Sequence, residues 1–257
     1  MNRKILIFEN RYSLSNFLIM SWLEKAKEFI HLKKEFTVAL CGGQSPVEFY
    51  CRLPNIPGFE LWRHTHVFLT DEEIDPKGKK AKHYSMINDY LLQYTPVSQK
   101  QIHPIFIDQE DVSLCLDRYE EDIKEHFEIK KGELPSFDFV LLGLGRNGEM
   151  ASLFPDNTTT NNRQRLAVAV VSLFARHMRV TLTLPVINNA KNVYLVATGQ
   201  KKSSMVKKIL EDDYDCPASQ LQLRDGELFI LLDREAAREL SINEDQISHQ
   251  GEAIVLS

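Results

Sequence analysis

Residues 137–155 read FDFVLLGLGRNGEMASLFP, and this stretch decides the fold more than any other part of the chain. It begins with a mostly apolar run of strand length, and the glycine-rich turn GLGRNG follows directly at 143–148. Pro155 comes so soon after the turn that only a short helix fits between them. A continuous apolar strand that runs into a glycine turn is typical of a buried strand in a parallel sheet.

The segments on both sides of this stretch alternate between strands and amphipathic helices. Strands are predicted at 5–8, 36–41, 66–70, 105–107, 137–142, 166–171, 180–184, 193–198 and 228–232, and helices at 14–32, 46–53, 83–92, 113–127, 185–190, 203–210 and 235–240. This order predicts an α/β fold, three-layer and Rossmann-like, with a largely parallel sheet and helices on both faces. Because no linker or repeat interrupts the chain, residues 1–257 are expected to form a single domain, with 241 onward as a loosely held extension.

Composition and charge exclude several classes of protein. The chain has 257 residues and a net charge of −5, so a nucleic acid is a poor candidate partner. The first residues lack the features of a signal peptide, and no apolar run approaches the roughly 18 residues of a membrane helix. We therefore expect a cytoplasmic protein without a membrane partner. A locally basic site in an acidic protein can still bind an anionic small molecule.

The cysteines and histidines show no pattern of a metal site. The four cysteines form no Cys-x-x-Cys pair, and reduced, mostly buried thiols are expected at Cys41, Cys51, Cys115 and Cys216. The histidines lack two-histidine helical spacing, and the strand pair His64 and His66 is interpreted as half-exposed. The expectation from sequence is no metal and no cofactor.

Polar or glycine-rich loops follow four predicted strands, at 42–45, 71–73, 143–148 and 198–202. Ligands of α/β sheets bind beyond the carboxyl ends of the strands, so these loops predict a ligand site. The loop at 42–45 precedes Pro46, and free N–H groups at such a helix start suit a phosphate. An ordinary turn with Ser45 as N-cap explains the same residues. Both interpretations stay open on spacing alone.

Glu149 follows the glycine turn and also has two interpretations. A carboxylate on such a turn can act as a general base, or it can be an early helix residue favoured by the helix dipole. The spacing Gly143-x-Gly145-x-x-Gly148 is a weak dinucleotide signal, but the short distance to Pro155 argues against NAD binding.

The stretch 143–155 resembles the signature Gly-x-Gly-x-Asp-Gly-His-x-Ala-Ser-Leu-Phe-Pro of the 6-phosphogluconolactonases, which are similar to the glucosamine-6-phosphate isomerases and deaminases. Other segments resemble that family in order, over roughly residues 5–238. These are 42–46 (Gly-Gly-Ser-Thr-Pro), 71–72 (the start of Asp-Glu-Arg), Tyr84 (Ser-Asn-Tyr), 179–185 (Arg-Ile-Thr-Leu-Thr-Leu-Pro), 198–202 (Thr-Gly-x-x-Lys), 217–219 (Pro-Ala-Ser) and 233–237 (Asp-x-x-Ala-Ala). Ser-Leu-Phe-Pro at 152–155 is the lactonase form rather than the Phe-Asn-Glu-Pro of the deaminases.

The resemblance implies a function and a set of site residues. It implies hydrolysis of 6-phosphogluconolactone to 6-phosphogluconate in the pentose phosphate pathway, with a sugar phosphate as the small-molecule partner. It also implies a phosphate site made of Gly42, Gly43, Gln44, Ser45, Arg179 and Lys202.

Three family motifs are altered here. The histidine of Asp-Gly-His, taken as the base that activates water, is replaced by Glu149; Asp-Glu-Arg becomes Asp-Glu-Glu at 71–73; and Ser-Asn-Tyr becomes Lys-His-Tyr at 82–84. An ordinary glutamate is a weaker base at pH 7 than an ordinary histidine. Lysines that can offset the added negative charge are Lys77, Lys79, Lys80 and Lys82, and a solvated run of charges explains the same residues.

Three hypotheses follow from these departures. The first is a lactonase with an altered base, for which the candidate catalytic residues are Glu149, Asp71 and His83. The second is a sugar-phosphate-binding homologue with little or no catalysis. The third is a related sugar-phosphate isomerase or deaminase.

Overall fold

The structure is a computed structural model that describes residues 2–74, 81–108, 110–156, 162, 164–174, 177–241, 247–250 and 253–256. The strands in these ranges are β1 (Asn2–Phe8), β2 (Phe36–Leu40), β3 (Thr65–Leu69), β4 (Asp71–Ile74), β5 (Ile102–His103), β6 (Phe139–Gly143), β7 (Ala167–Val170), β8 (Met178–Leu182), β9 (Asn192–Ala197), β10 (Glu227–Asp233), β11 (Ile247–Gln250) and β12 (Ala253–Leu256). The α-helices are α1 (Arg11–Lys33), α2 (Val47–Arg52), α3 (Lys82–Tyr90), α4 (Val112–His126), α5 (Leu184–Ile187), α6 (Ser203–Leu210) and α7 (Arg234–Ala237).

The main sheet has nine strands within the described ranges, in the order β11-β12-β1-β10-β9-β6-β2-β3-β5. Every neighbouring pair from β1 to β5 is parallel, and only β12 against β1 and β11 against β12 are antiparallel. The prediction of an α/β fold with a largely parallel sheet is confirmed. Parallel strands are connected by crossover segments, so their carboxyl ends and the following loops gather at one edge.

A small antiparallel sheet joins β4, β8 and β7. The predicted pairing of 166–171 with 180–184 is confirmed as β7 against β8. Strand β4 was not predicted, because its sequence, DEEI, is acidic and has low strand propensity. It pairs with β8 in a register that sets Glu73 opposite Arg179, and the two side chains form an ion pair between the strands.

Two sequence predictions were wrong. Residues 105–107 form no strand, and the edge strand is the shorter β5 just before them. The C-terminal region is not a loose extension, because β11 and β12 form a hairpin on β1 that pairs Ile5 with Leu256. β1 is the last parallel strand, so its free edge offers unpaired N–H and C=O groups that β12 satisfies.

A contiguous apolar core surrounds the central strands. β2 is buried along its full length, as is β9, which accounts for their mostly apolar sequences. The Tyr194 ring stacks between those of Phe139 and Phe229, with centroids 4.4 and 4.8 Å away. Cys41, Cys115 and Cys216 are buried and Cys51 is exposed, all as free thiols, which confirms the prediction of mostly buried cysteines.

Helix α1 starts and ends at residues suited to those positions. The Asn10 side chain accepts hydrogen bonds from the Tyr12 and Ser13 backbone N–H groups, and the helix ends at Lys34 in the left-handed region. The cap fixes Arg11 in the first turn, next to the carboxyl end of β1. Across the described ranges, no helix is both long and apolar enough to span a membrane.

Candidate active site

A cavity of about 730 Å³ lies where the loops after β2, β3, β6 and β9 meet. All nine residues singled out from the sequence line it: Gly42, Gly43, Gln44, Ser45, Asp71, His83, Glu149, Arg179 and Lys202. The fold therefore brings together residues that are more than 150 positions apart in the chain. Their individual roles stay predictions at this point.

The loop at 42–45 forms one wall of the cavity. A Cβ atom on Gly42 would lie 2.5 Å from the His83 ring, so this position needs glycine for the ring to approach. Pro46, not Ser45, occupies the N-cap position of α2 and makes no side-chain cap hydrogen bond. The interpretation of Ser45 as N-cap is thus wrong, and among the described residues its hydroxyl has no hydrogen-bond partner.

Glu72 fixes the start of α3 and thereby places His83. Its fully buried carboxylate accepts hydrogen bonds of 2.8 Å from the backbone N–H groups of Glu73, His83 and Tyr84. Helix α3 has no cap from its own Ala81, so a carboxylate from β4 satisfies these otherwise free donors. Capping of α3 therefore explains the presence of Glu72 without any role in catalysis.

Asp71 is a buried carboxylate surrounded by donors. Its oxygens accept hydrogen bonds from Thr70 Oγ1 at 2.9 Å and Ser152 Oγ at 2.5 Å, and His83 Nδ1 lies 3.3 Å from Oδ2. Burial by itself raises the pKa of Asp71, but the His83 charge and the three hydrogen bonds outweigh it and lower the pKa to about 2. Asp71 is therefore ionised at pH 7 and fully engaged, which suits a positioning group better than a base.

His83 is held as a cation by this carboxylate. Burial by itself lowers the pKa of His83, but the charge of Asp71 outweighs it and raises the pKa to about 9. Its Nε2 lies 3.3 Å from Arg179 Nη1. At pH 7 His83 Nε2 and Arg179 Nη1 both carry protons, and neither can accept a hydrogen bond from the other. An anion bound beside them would accept hydrogen bonds from both.

The pair of His83 and Asp71 makes stability depend on pH. The pKa of His83 is raised from the ordinary value, so its contribution is complete below about pH 6.5 and is lost as the pH rises through about 9. The pKa of Asp71 is depressed, so its contribution is present above about pH 3.8 and is lost as the pH falls toward about 2. In urea unfolding, the free energy of unfolding of His83→Gln should therefore be lower than that of the parent chain by on the order of 2–3 kcal/mol between about pH 4 and 6.5. This difference should shrink by pH 9. The exposed His31→Gln serves as control, and a loss that does not vary with pH would contradict the assignment.

Glu73 occupies the position of the family's arginine and pairs with Arg179. Glu73 Oε2 lies 2.8 Å from Arg179 Nη2 and 3.0 Å from Lys82 Nζ. Burial by itself raises the pKa of Glu73, but the hydrogen bond from Lys82 and the charge of Arg179 lower it. One lysine that was expected to offset added negative charge thus does so at Glu73, and the others, Lys77, Lys79 and Lys80, lie outside the described residues.

Glu149 lies on the turn after β6 with its carboxylate at the cavity. Its Oε2 accepts a hydrogen bond of 2.7 Å from the Asn147 backbone N–H, and its backbone carbonyl accepts one from Gly145. Among the described residues, Oε1 has no hydrogen-bond partner. A Cβ on Gly145 would lie 1.8 Å from the Glu149 Cδ, so this glycine leaves the space that the carboxylate occupies. One oxygen is anchored and the other is available.

The turn after Glu149 has a strained backbone, and it places a hydrogen-bond donor against Asp71. Ala151 and Ser152 have φ values of 45° and 55°, which residues other than glycine rarely adopt. Thr181 Oγ1 donates to the Ala151 carbonyl, and Ser152 Oγ donates to Asp71. Ser152 therefore holds the buried carboxylate, a role that sequence analysis missed although Ser152 belongs to the matched signature.

Lys202 reaches the cavity from the loop after β9. Asp233, which caps α7, also accepts hydrogen bonds of 2.9 and 3.0 Å from the Gly199 N–H and fixes this loop. Burial lowers the pKa of Lys202, and the nearby Glu149 carboxylate opposes that effect. Lys202 and Glu149 thus lie close enough to interact through their charges.

Positive charge predominates among the described residues that line the cavity. Sequence analysis did not single out three of the cations. Arg146 and Lys201 lie in predicted ligand loops but at no fixed motif position, and Arg11 lies in no predicted loop. Together with His83, Arg179 and Lys202 they face two carboxylates, Asp71 and Glu149. A cavity of this charge attracts an anionic ligand although the whole chain is acidic.

Comparison with protein families places the chain among known sequences. The family described as glucosamine-6-phosphate isomerases/6-phosphogluconolactonase matches residues 9–230. A Homo sapiens 6-phosphogluconolactonase is 35% identical over 177 residues, which cover 67% of either chain. The GDH/6PGL endoplasmic bifunctional protein of Homo sapiens is 32% identical over 79% of this chain, which spans only 26% of that relative's length.

A solved structure shares both fold and sequence with this chain. The 6-phosphogluconolactonase from Trypanosoma cruzi superposes with a TM-score of 0.79 at 26% identity, and the match covers 93% of this chain and 97% of that one. The similarity therefore extends over almost the entire described fold.

Proposed function

The chain belongs to the family of glucosamine-6-phosphate isomerases and 6-phosphogluconolactonases, and we propose that it hydrolyses 6-phosphogluconolactone to 6-phosphogluconate in the pentose phosphate pathway. The general base in this proposal is Glu149. One observation carries it: the Glu149 carboxylate lines the same cavity as the loop 42–45 and Arg179, with Oε1 unpartnered among the described residues. Relatives named 6-phosphogluconolactonase support the choice of substrate.

The substrate phosphate is proposed to bind against the loop 42–45. The Ser45 hydroxyl and the backbone N–H groups of this loop are donors, and Arg179 and Lys202 supply charge from two other loops. Arg179 Nε is buried without a hydrogen-bond partner among the described residues, so this side chain has donors left after pairing with Glu73. The adjacent N–H donors of His83 Nε2 and Arg179 Nη1 also favour an anionic oxygen nearby.

The proposed reaction has one water and one lactone as reactants. Glu149 Oε1 takes a proton from water as the water oxygen bonds to the lactone carbonyl carbon. The ring C–O bond then breaks, and the proton passes to the departing alkoxide, which becomes a hydroxyl of the product. This sequence needs no cofactor or metal. His83, Asp71 and Ser152 take part by positioning one another, and the charge of His83 favours the anionic substrate.

The proposal includes the setting of the reaction. It takes residues 1–257 as one domain and the cytoplasm as the compartment, with a sugar phosphate as ligand. Neither nucleic acid nor membrane is a proposed partner.

A paired assay tests the proposal against a binding protein without turnover. We expect the chain to accelerate lactone opening above its spontaneous rate and to gain thermal stability with 6-phosphogluconate but not with gluconate, which lacks the phosphate. Stabilisation without acceleration would identify the binding homologue. If the chain shows neither acceleration nor stabilisation, both hypotheses are contradicted. The third hypothesis, a related sugar-phosphate isomerase or deaminase, then remains.

A further inference from the structure

Three histidines from distant parts of the sequence meet away from the candidate active site. His66 lies in β3, His103 in β5, and His126 ends α4. One ring nitrogen from each lies within 4.8 Å of the other two. His66 is about 10 Å from the carboxyl end of β3, where the cavity begins, and none of the three lines that cavity.

Two of the rings already have a spacing suited to metal coordination. His66 Nδ1 and His103 Nε2 are 3.1 Å apart. Zinc–nitrogen bonds of about 2.0–2.1 Å in a tetrahedron place two ligand nitrogens about 3.3 Å apart. The separation of these two nitrogens is therefore close to that of two zinc ligands.

Asp122 orients the His103 ring. Its carboxylate oxygens lie 2.8 and 3.0 Å from His103 Nδ1, and a carboxylate can only accept, so Nδ1 carries the proton. In the neutral ring, Nε2 then presents its lone pair to His66. A carboxylate behind the far nitrogen of a histidine is the usual outer partner of a metal-binding imidazole.

His126 is the unexplained member of the cluster. Its Nε2 is buried and has no hydrogen-bond partner among the described residues, which is costly for a polar atom. The ring lies with its centroid 4.5 Å from that of His66 and 5.1 Å from that of His103.

Aromatic rings fix the cluster in place. The Phe68 ring stacks on His103 with centroids 4.0 Å apart and planes inclined by 3°, and Phe127 meets His126 edge-on at 5.0 Å. Charged groups that act on both His66 and His126 are Glu35 and Lys33, and Asp122 also acts on His66. Without a ligand, the three histidines leave the His126 Nε2 without a hydrogen-bond partner among the described residues.

We propose that His66, His103 and His126 form a binding site for Zn²⁺, with Asp122 orienting His103 and a water completing the tetrahedron. Imidazole nitrogens are preferred zinc ligands, and three of them with one open position form a known type of zinc site. On binding, His66 changes tautomer so that its proton lies on Nε2, and His66 Nδ1 and His103 Nε2 then both present lone pairs to the metal. His126 completes the set by a shift of its ring toward the pair.

The site would connect three elements at one side of the main sheet. β5 is a two-residue edge strand, and α4 crosses to the small sheet, where it contacts β7. A shared metal ties both elements to β3. Binding to the folded form alone raises the unfolding temperature as zinc concentration rises.

Calorimetric titration of the metal-free full chain with zinc chloride tests the site. We expect one zinc per chain, with His103→Ala and His126→Ala each weakening affinity at least tenfold and Asp122→Asn weakening it by about 10–100-fold. His64→Ala removes an exposed histidine just before β3 and should leave affinity unchanged. Cobalt(II) in place of zinc should give the intense visible absorption of tetrahedral coordination.

The outcomes are separable from those of the proposed function, because the readout is binding and not hydrolysis. Melting curves without zinc identify any variant that fails to fold, and Asp122→Asn, whose side chain keeps its size, then carries the test. Absence of binding, or equal affinity in the parent chain, His126→Ala and Asp122→Asn, would overturn the proposal.

Discussion

Glu149→Gln is expected to lower the turnover of 6-phosphogluconolactone by about 10²–10⁴-fold, the range that a general base contributes. Glutamine keeps the size of the side chain, and its amide oxygen can still accept the hydrogen bond from the Asn147 N–H. The turn should therefore stay in place while the ability to take a proton from water is lost. Initial rates, corrected for spontaneous opening of the lactone, measure the effect.

An exposed glutamate supplies the matched control for this substitution. Glu121→Gln changes the same side chain on α4, away from the cavity, and should retain full turnover. If Glu149→Gln also retained full turnover, the base would lie elsewhere. Asp71 and His83 would then need examination, although one is ionised and fully hydrogen-bonded and the other is protonated at pH 7.

Arg179→Ala should weaken binding of 6-phosphogluconate by at least about tenfold, or ~1.4 kcal/mol. The change removes guanidinium donors from the cavity and also leaves the buried Glu73 with one cation fewer, so the negative charge near the phosphate is less compensated. Calorimetric titration with 6-phosphogluconate measures the affinity. Arg63→Ala, which removes an exposed arginine, should have no effect.

Glu73→Gln separates the two causes of this loss. It removes the anion that occupies Arg179, so affinity should rise by a few-fold in the single variant. In the double variant Arg179→Ala/Glu73→Gln, recovery to the parent affinity would show that the loss in Arg179→Ala comes only from the uncompensated charge of Glu73. A lasting loss would show that the Arg179 donors bind the phosphate, and unchanged affinity in Arg179→Ala would rule out this placement.

Local sequence patterns carried most of the information about the fold. The apolar runs of β2, β6 and β9 are buried along nearly their full length, so their composition alone identifies them as central strands. β4 escaped prediction, because its acidic residues are stabilised by partners far away in sequence. Glu73 pairs with Arg179, and Glu72 caps α3.

The candidate site was predictable as far as family motifs reach. The nine residues named from motifs line one cavity, because the topology gathers the loops after parallel strands. The further cations Arg146 and Lys201 lie in predicted ligand loops but match no motif position, and only the folded chain brings Arg11 to the cavity.

The histidine cluster shows where reasoning from spacing ends. His66, His103 and His126 are 37 and 23 positions apart, far outside helical or hairpin metal spacing, so the sequence indicated no metal. Pairing of β3 with β5 and the packing of α4 bring them together. Neither contact leaves a local trace in the sequence.

The central claim is that this chain hydrolyses 6-phosphogluconolactone through the carboxylate at position 149. The most direct measurement is the corrected initial rate at pH 7 for the chain with glutamate, glutamine or histidine at that position. The account predicts the order histidine, glutamate, glutamine, with glutamine near the spontaneous rate, because the ordinary basicity of the three groups falls in that order. Equal rates for glutamate and glutamine, or no acceleration by either glutamate or histidine, would contradict it.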